Sequence, residues 1–310
     1  MTSRVCLVLA LAAVLWACQD PKPPAEAPPA LGKAPAQPLA QAPPGAPPLQ
    51  PVANLGKPED AKARLDLACN SDDFVACNDL GLLIVQSPPN QRDGQRAERL
   101  FQKACNGANT EGCNNLGYMY ELGDGVARDH AKALQLYTTS CDNDNIEGCS
   151  KLGFLLISGD KEFRNFDRAE PILKKSCDAN SLQGCTNLGI LMASRPGSEG
   201  KAREHLDKAC NGGYPRGCTI LGLMFYHGDG VEKSAEEAAR LFEGACLKNH
   251  SGGCAELAEL YLKNEGVPAN PDNATKALTF FERACQLGSP RGCKRLEEVR
   301  SGKPLDSPAP

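Results

Sequence analysis

Fourteen of the 16 cysteines in this 310-residue chain fall into seven pairs with seven residues between the members. They are Cys69/Cys77, Cys105/Cys113, Cys141/Cys149, Cys177/Cys185, Cys210/Cys218, Cys246/Cys254 and Cys285/Cys293. The first members step by 36, 36, 36, 33, 36 and 39 residues. Thiols spaced in this way can cross-link, hold a metal or attack a substrate. Zinc sites favour shorter gaps between cysteines and draw on partner His or Cys. The four histidines, His130, His205, His227 and His250, do not keep the repeat register. The spacing therefore points away from metal, and no cofactor is expected.

Pairing decides what chemistry remains. In a local scheme each Cys bonds the partner seven residues away. In a hairpin scheme the second Cys of one pair bonds the first Cys of the next, which strands Cys69 and Cys293. Only the local scheme uses all fourteen, and its gap is invariant while the other varies with the 33- and 39-residue steps. Local staples are therefore expected, and they leave no thiol free for catalysis. Other enzyme motifs are nearly absent. Ser158-Gly-Asp-Lys161 and Ser198-Glu-Gly-Lys201 match Ser-x-x-Lys, but no Lys-Thr-Gly or Ser-Asp-Asn follows either. Both read as solvated loops, and no catalytic residue is assigned. The formal net charge of −4 argues against a nucleic-acid partner, which a basic patch would mark.

The elements that place these cysteines also repeat. A small residue precedes each first Cys (Ala68, Ala104, Ser140, Ser176, Ala209, Ala245, Ala284), and a Leu follows each second Cys by three (Leu80, Leu116, Leu152, Leu188, Leu221, Leu257, Leu296). Next comes Gly81, Gly117, Gly153, Gly189, Gly222 or Ala258, with Glu297 the exception at the last repeat. A period of this size marks a solenoid of helix pairs. Helix A starts near the second Cys and is apolar on most faces, as a buried helix is. Gly123-Asp124-Gly125-Val126 ends one such helix, and the turn recurs at Gly228-Asp229-Gly230-Val231 and, loosely, at Asn264-Glu265-Gly266-Val267. Helix B follows and is amphipathic, with Ala133, Leu136 and Tyr137 on one face. Asn270-Pro271 predicts the start of the last helix B. The expected fold is an all-α, right-handed α/α solenoid over 57–300, with six A–B hairpins, a lone helix at each end and a disordered tail at 301–310.

The pattern Gly-Cys-x-x-Leu-Gly, then Gly-x-Gly-Val, then Lys-Ala-x-x-x-[Tyr/Phe]-x-x-[Ser/Ala]-Cys resembles the Sel-one-like repeat (SLR), a relative of the tetratricopeptide repeat. The subgroup it looks like is the secreted cysteine-rich proteins first described from Helicobacter. The resemblance covers about residues 57–300 and implies the same local disulfides. It implies a protein- or peptide-binding scaffold or adaptor. The alternative it implies is weak β-lactamase activity or binding of penicillin or peptidoglycan fragments.

The N-terminus predicts the compartment. Arg4 precedes an apolar run, Val5 to Leu15, too short to span a bilayer as a mature helix. Leu15-Trp16-Ala17-Cys18 resembles a bacterial lipobox, which makes 1–17 a signal peptide and Cys18 the lipid attachment site. Gln19 in place of Asp implies the outer membrane. Half of the 24 prolines lie between Pro21 and Pro51. Residues 18–56 therefore read as a disordered linker, whose Pro21–Pro51 stretch is extended with an upper reach of about 100 Å. The expected protein is exported, monomeric and held at the membrane only by its lipid.

A binding surface is expected on the concave face of such a solenoid. One residue after each second Cys stands Asn78, Asn114, Ser150, Thr186, Thr219 or Ala255, and four residues further on stands Leu82, Tyr118, Phe154, Ile190, Leu223 or Glu259. These are i and i+4 on helix A and form a ladder. The apolar row is expected to pack between helices. The polar row is expected to be exposed, and Asn78, Asn114, Tyr118, Thr186 and Thr219 are the candidate peptide contacts.

Overall fold

The computed structural model describes residues 58–88 and 92–302. Cys18, the apolar leader and the proline-rich stretch lie outside the described residues. The described residues form fourteen helices and no strands. They fall into two compact units that divide between Asn145 and Ile146, where the sequence reading treats 57–300 as one array. The N-terminal unit holds α1 (Pro58–Asn70), α2 (Phe74–Val85), α3 (Gly94–Asn106), α4 (Thr110–Leu122) and α5 (His130–Asp142). The C-terminal unit holds α6 (Ile146–Ser158), α7 (Phe166–Asp178), α8 (Leu182–Ala193), α9 (Glu199–Asn211), α10 (Pro215–His227), α11 (Ala235–Leu247), α12 (Ser251–Lys263), α13 (Asn273–Gln286) and α14 (Pro290–Arg300). No described helix is long and apolar enough to cross a membrane.

Short polar side chains start these helices. Asp73, Asp93, Asn109, Asp129, Asn165, Ser181, Ser234 and Ser289 each accept the backbone N–H three residues on, satisfying one of the donors a helix leaves open at its start. Helix A begins three residues before its second Cys, slightly earlier than the sequence pattern suggests. The last helix B begins at Asn273 rather than at Pro271. Asn270 Oδ1 accepts from the Asp272 N–H at 2.8 Å and closes a turn first. Asn273 Nδ2 then donates to Asn264 Oδ1 and to the Pro268 carbonyl.

Two recurring close approaches build the repeat. Within each hairpin, the small residue four positions after the second Cys receives the largest buried side chain of helix B. A Cβ on Gly81 would lie 2.6 Å from the Phe101 ring, on Gly117 2.7 Å from Tyr137, on Gly153 2.2 Å from Leu173, on Gly189 2.6 Å from Leu206 and on Gly222 2.5 Å from Phe242. Ala258 packs with Phe281 in the same way. All six large partners are at most 1% exposed. Between hairpins, the Gly before the second Cys meets the small residue before the first. A Cβ on Gly112, Gly217, Gly253 or Gly292 would lie 2.6–2.8 Å from the methyl of Ala104, Ala209, Ala245 or Ala284.

That second approach brings the cysteines together. Cys69–Cys77, Cys105–Cys113, Cys177–Cys185, Cys210–Cys218, Cys246–Cys254 and Cys285–Cys293 are disulfides with Cα–Cα distances of 4.4–4.6 Å. Cys141 and Cys149 are also disulfide-bonded. Each of the six joins the last turn of a helix B to the first turn of the next helix A. The reversal between them needs a residue at positive φ three positions after the first Cys. Asp72, Ala108, Asp144, Asn180, Gly213, Asn249 and Gly288 occupy it, with φ of 61–91°. Lysines add a further link. Lys103 Nζ donates to the Cys69 carbonyl at 2.8 Å and Lys208 Nζ to the Cys177 carbonyl at 2.9 Å, at helix C-termini where a cation is favoured.

Candidate binding face

Helix B covers one side of each helix A. The other side carries the residues two before, two after and five after the second Cys. In the N-terminal unit this face is apolar with acid upon it. Val75, Tyr118 and Leu122 are exposed, at 56%, 47% and 55%, and Leu82 is half-buried. Asp79 lies on the same face of α2 and accepts from the Asn78 amide at 3.4 Å. Burial raises its carboxyl above the usual value, and the charge of Asp73 adds to this, while the Asn78 hydrogen bond opposes it.

In the C-terminal unit the corresponding side chains are Phe154, Ile190 and Leu223, all half-buried. Arg216, in the first turn of α10, lays its guanidinium over the Phe154 ring at 4.8 Å. At the far end of this unit the apolar row stops at Glu259. Arg295 of α14 binds that carboxylate through two hydrogen bonds of 2.7 and 3.0 Å and also reaches Glu298 at 2.8 Å. Arg291 pairs with Glu256 beside it.

The polar row does not face solvent. Asn78, Asn114, Thr186 and Thr219 are at most 5% exposed, and Ser150 is wholly buried. These side chains hold neighbouring repeats together. Asn114 Nδ2 donates to Asn145 Oδ1 at 3.0 Å, and Asn115 Nδ2 to Asn78 Oδ1 at 2.8 Å. Ser150 Oγ lies 2.6 Å from Ser176 Oγ and 2.9 Å from Ser181 Oγ. Thr186 Oγ1 donates to the Leu182 carbonyl at 2.9 Å. Thr219 Oγ1 lies 2.9 Å from His250 Nδ1, and that nitrogen accepts the Gly253 N–H at 3.1 Å and so caps α12. The reason is positional. The residue next to the stapled Cys shares its buried side, and for Ser150 and Thr219 the hydroxyl meets the capping side chain of the following helix A, Ser181 or His250. The exposed row lies elsewhere on the helix, and only Tyr118 of the candidate contacts stands on it. Its apolar members do not sink fully between helices as the sequence pattern suggests.

Tyr120, His205 and His250, whose proton affinities are perturbed, lie in separate repeats. The Tyr120 hydroxyl donates to Glu98, and burial first, then that carboxylate, pushes its pKa up to about 12. Burial pushes both His205 and His250 down. His205 Nδ1 lies 4.0 Å from Cys177 Sγ, a sulfur already in a disulfide. Ser158 Oγ donates to the Phe154 carbonyl at 2.7 Å, as a helix-end serine does, and makes no bond to Lys161. Ser198 precedes α9 with no side-chain cap bond. Among the described residues no group of three His, Cys, Asp or Glu is arranged to hold a metal ion.

The repeat model for the Sel1 repeat matches residues 75–109, 110–145, 183–214, 215–250 and 251–289, together more than half of the chain. The chain belongs to the Sel1 repeat family. Sel1 repeat proteins generally act as protein–protein interaction scaffolds. Among solved Sel1-type structures, an immunity protein from Pseudomonas aeruginosa is 19% identical, over 84% of this chain and 90% of that one, at a TM-score of 0.50. A protective antigen of uropathogenic Escherichia coli with an SLR fold is 20% identical, over 79% of this chain and 61% of that one, at 0.48. Helicobacter pylori cysteine rich protein B is 30% identical, over 43% of this chain and 96% of that one, at 0.35. Cytochrome c oxidase assembly factor 7A of Xenopus laevis is 36% identical over 69 residues, which are 22% of this chain and 29% of that protein. At 19% identity the match to the immunity protein speaks to the fold alone.

Proposed function

We propose that this Sel1 repeat protein is a monomeric scaffold of the bacterial cell envelope. It captures a protein or peptide partner on the open face of its A helices, with Cys18 carrying a lipid anchor in the outer membrane. The observation that carries the binding role is the exposure of Tyr118 and Leu122 one turn apart on a single face of α4, since exposed apolar surface marks interaction sites. A photo-crosslinking residue at Leu122 or Tyr118 should capture a defined partner in intact envelopes, whereas one at the exposed Lys132 on helix B should not. Equal capture from both helices would refute the A-face assignment.

The anchor rests on the short apolar leader and on Cys18 directly after Ala17. Metabolic labelling with radioactive palmitate should mark the chain, and Cys18→Ser should abolish the label and release the protein from membranes. A labelled Cys18→Ser variant would refute the anchor while leaving the scaffold reading intact.

A further inference from the structure

Arg216 has neither an ion pair nor a hydrogen bond through its guanidinium among the described residues; its recorded contact is the Phe154 ring. Arg195, Arg203, Arg240, Arg291, Arg295 and Arg300 all reach carboxylates. A half-buried cation without a counter-charge is costly, because burial removes water without replacing its hydrogen bonds. The residues around it do not compensate. Helix α8 has no charged residue, and α10 carries only Arg216 and His227. The carboxylates of α6 and α12 are engaged elsewhere, Glu147 with Lys151, Glu256 with Arg291 and Glu259 with Arg295. Stacking on Phe154 holds the guanidinium by one flat side. The edges of the fork, which recognise a carboxylate bidentately, make no bond. Along α6, α8 and α10 run the half-buried Phe154, Ile190 and Leu223. The face therefore combines an apolar row with one unneutralised positive charge.

We infer that the α6–α8–α10 face binds an extended acidic peptide segment of a protein partner, with apolar side chains against Ile190 and Leu223 and a Glu or Asp carboxylate on Arg216. This deepens the scaffold reading and rests on it. The cation selects for acid within the segment, and the apolar row supplies the contact area. The half-buried setting favours a charge-assisted hydrogen bond over one in water.

The test uses the mature, oxidised full chain with 15N-labelled arginine. The probe is a pentapeptide of alternating Leu and Glu, acetylated and amidated so that it carries no terminal charge. Titration should shift the Arg216 Nε–Hε resonance saturably. The same peptide with Gln for Glu should bind at least tenfold more weakly. Arg216→Gln should lose the same factor at a melting temperature no lower than the parent's, while Arg203→Gln should bind as the parent does. Equal binding of the Glu and Gln peptides, or no loss in Arg216→Gln, would overturn the inference. So would absence of binding, or a shift by acetate alone at the same carboxylate concentration, which would mark a general anion site. The crosslinking at Leu122 and Tyr118 probes the N-terminal unit, so the scaffold reading can survive if the acidic-segment assignment fails.

Discussion

His250 caps α12 through a ring nitrogen that must stay unprotonated to accept from the Gly253 N–H. Burial, and secondarily the charge of Arg216, hold its pKa below the ordinary 6.5. A depressed basic group favours folding while it is neutral. Its contribution is complete above the unfolded value and is lost as pH falls through 6.5 toward the folded value. Denaturant melts from pH 7.5 to 5 should therefore show a steeper loss in the parent than in His250→Asn, which retains a capping acceptor without the titration. The difference should have a slope of at most about 1.4 kcal/mol per pH unit. Parallel curves would remove His250 as the source. Ala108 is the other exceptional single position. It sits at φ 64° where the six equivalent residues are Asp, Asn or Gly. The left-handed region costs an ordinary L-residue roughly 1–2 kcal/mol, part of which glycine returns as unfolded-state entropy. Ala108→Gly should stabilise the chain by about 0.5–1 kcal/mol, read as a higher urea midpoint at constant slope.

Paired helices depend on the missing side chain at the contact. A methyl on Gly117 would lie 2.7 Å from the buried Tyr137 ring, and neither helix backbone can retreat without moving the stapled turn beside it. Gly117→Ala should destabilise by about 1–3 kcal/mol, the usual range for overpacking a close interface. The compensating double variant Gly117→Ala/Tyr137→Leu should recover part of that loss in thermal melts. The α12–α14 contact works differently. Glu259 stands where earlier repeats carry an apolar side chain, and Arg295 neutralises it with both at 9% exposure. Removing one partner leaves a buried charge, so Arg295→Met should cost about 3 kcal/mol or more, whereas Glu259→Leu/Arg295→Met should be close to neutral. A double-mutant cycle by chemical denaturation measures this coupling.

Across the whole array, the staples are short-range. Each bridge closes a small loop and adds up to roughly 2.5 kcal/mol in the chain-entropy model, without linking distant parts of the chain. Reduction should lower the melting temperature by at least roughly 10 °C, because every junction loses its constraint together. An unchanged melt under a phosphine reductant would mean that the Gly–Ala approaches alone hold the junctions.

The helix-pair fold and local cross-links were legible in the residue pattern because they depend on periodicity and on cysteine spacing, both properties of a chain before it folds. The Gly81, Gly117 and Gly153 series also announced close packing, although not that Phe101, Tyr137 and Leu173 fill the gaps. The positive-φ residues were in register throughout, and their Asp, Asn and Gly identities carried a signal that the cysteine pattern overshadowed. The candidate face was harder to read. Asn78, Asn114, Thr186 and Thr219 occupy helix positions that a ladder argument leaves free. Asn78, Asn114 and Thr219 bond side chains some thirty residues away, Asn115, Asn145 and His250, partners that no local period reveals. Arg216 shows the same limit from the other direction. Its type and position are plain in the chain, but its lack of a carboxylate depends on how α6, α8, α10 and α12 distribute their charges once packed. Repeat spacing thus specifies which backbones meet, while solvent exposure and charge neutralisation arise only when side chains from separate repeats compete for the same space.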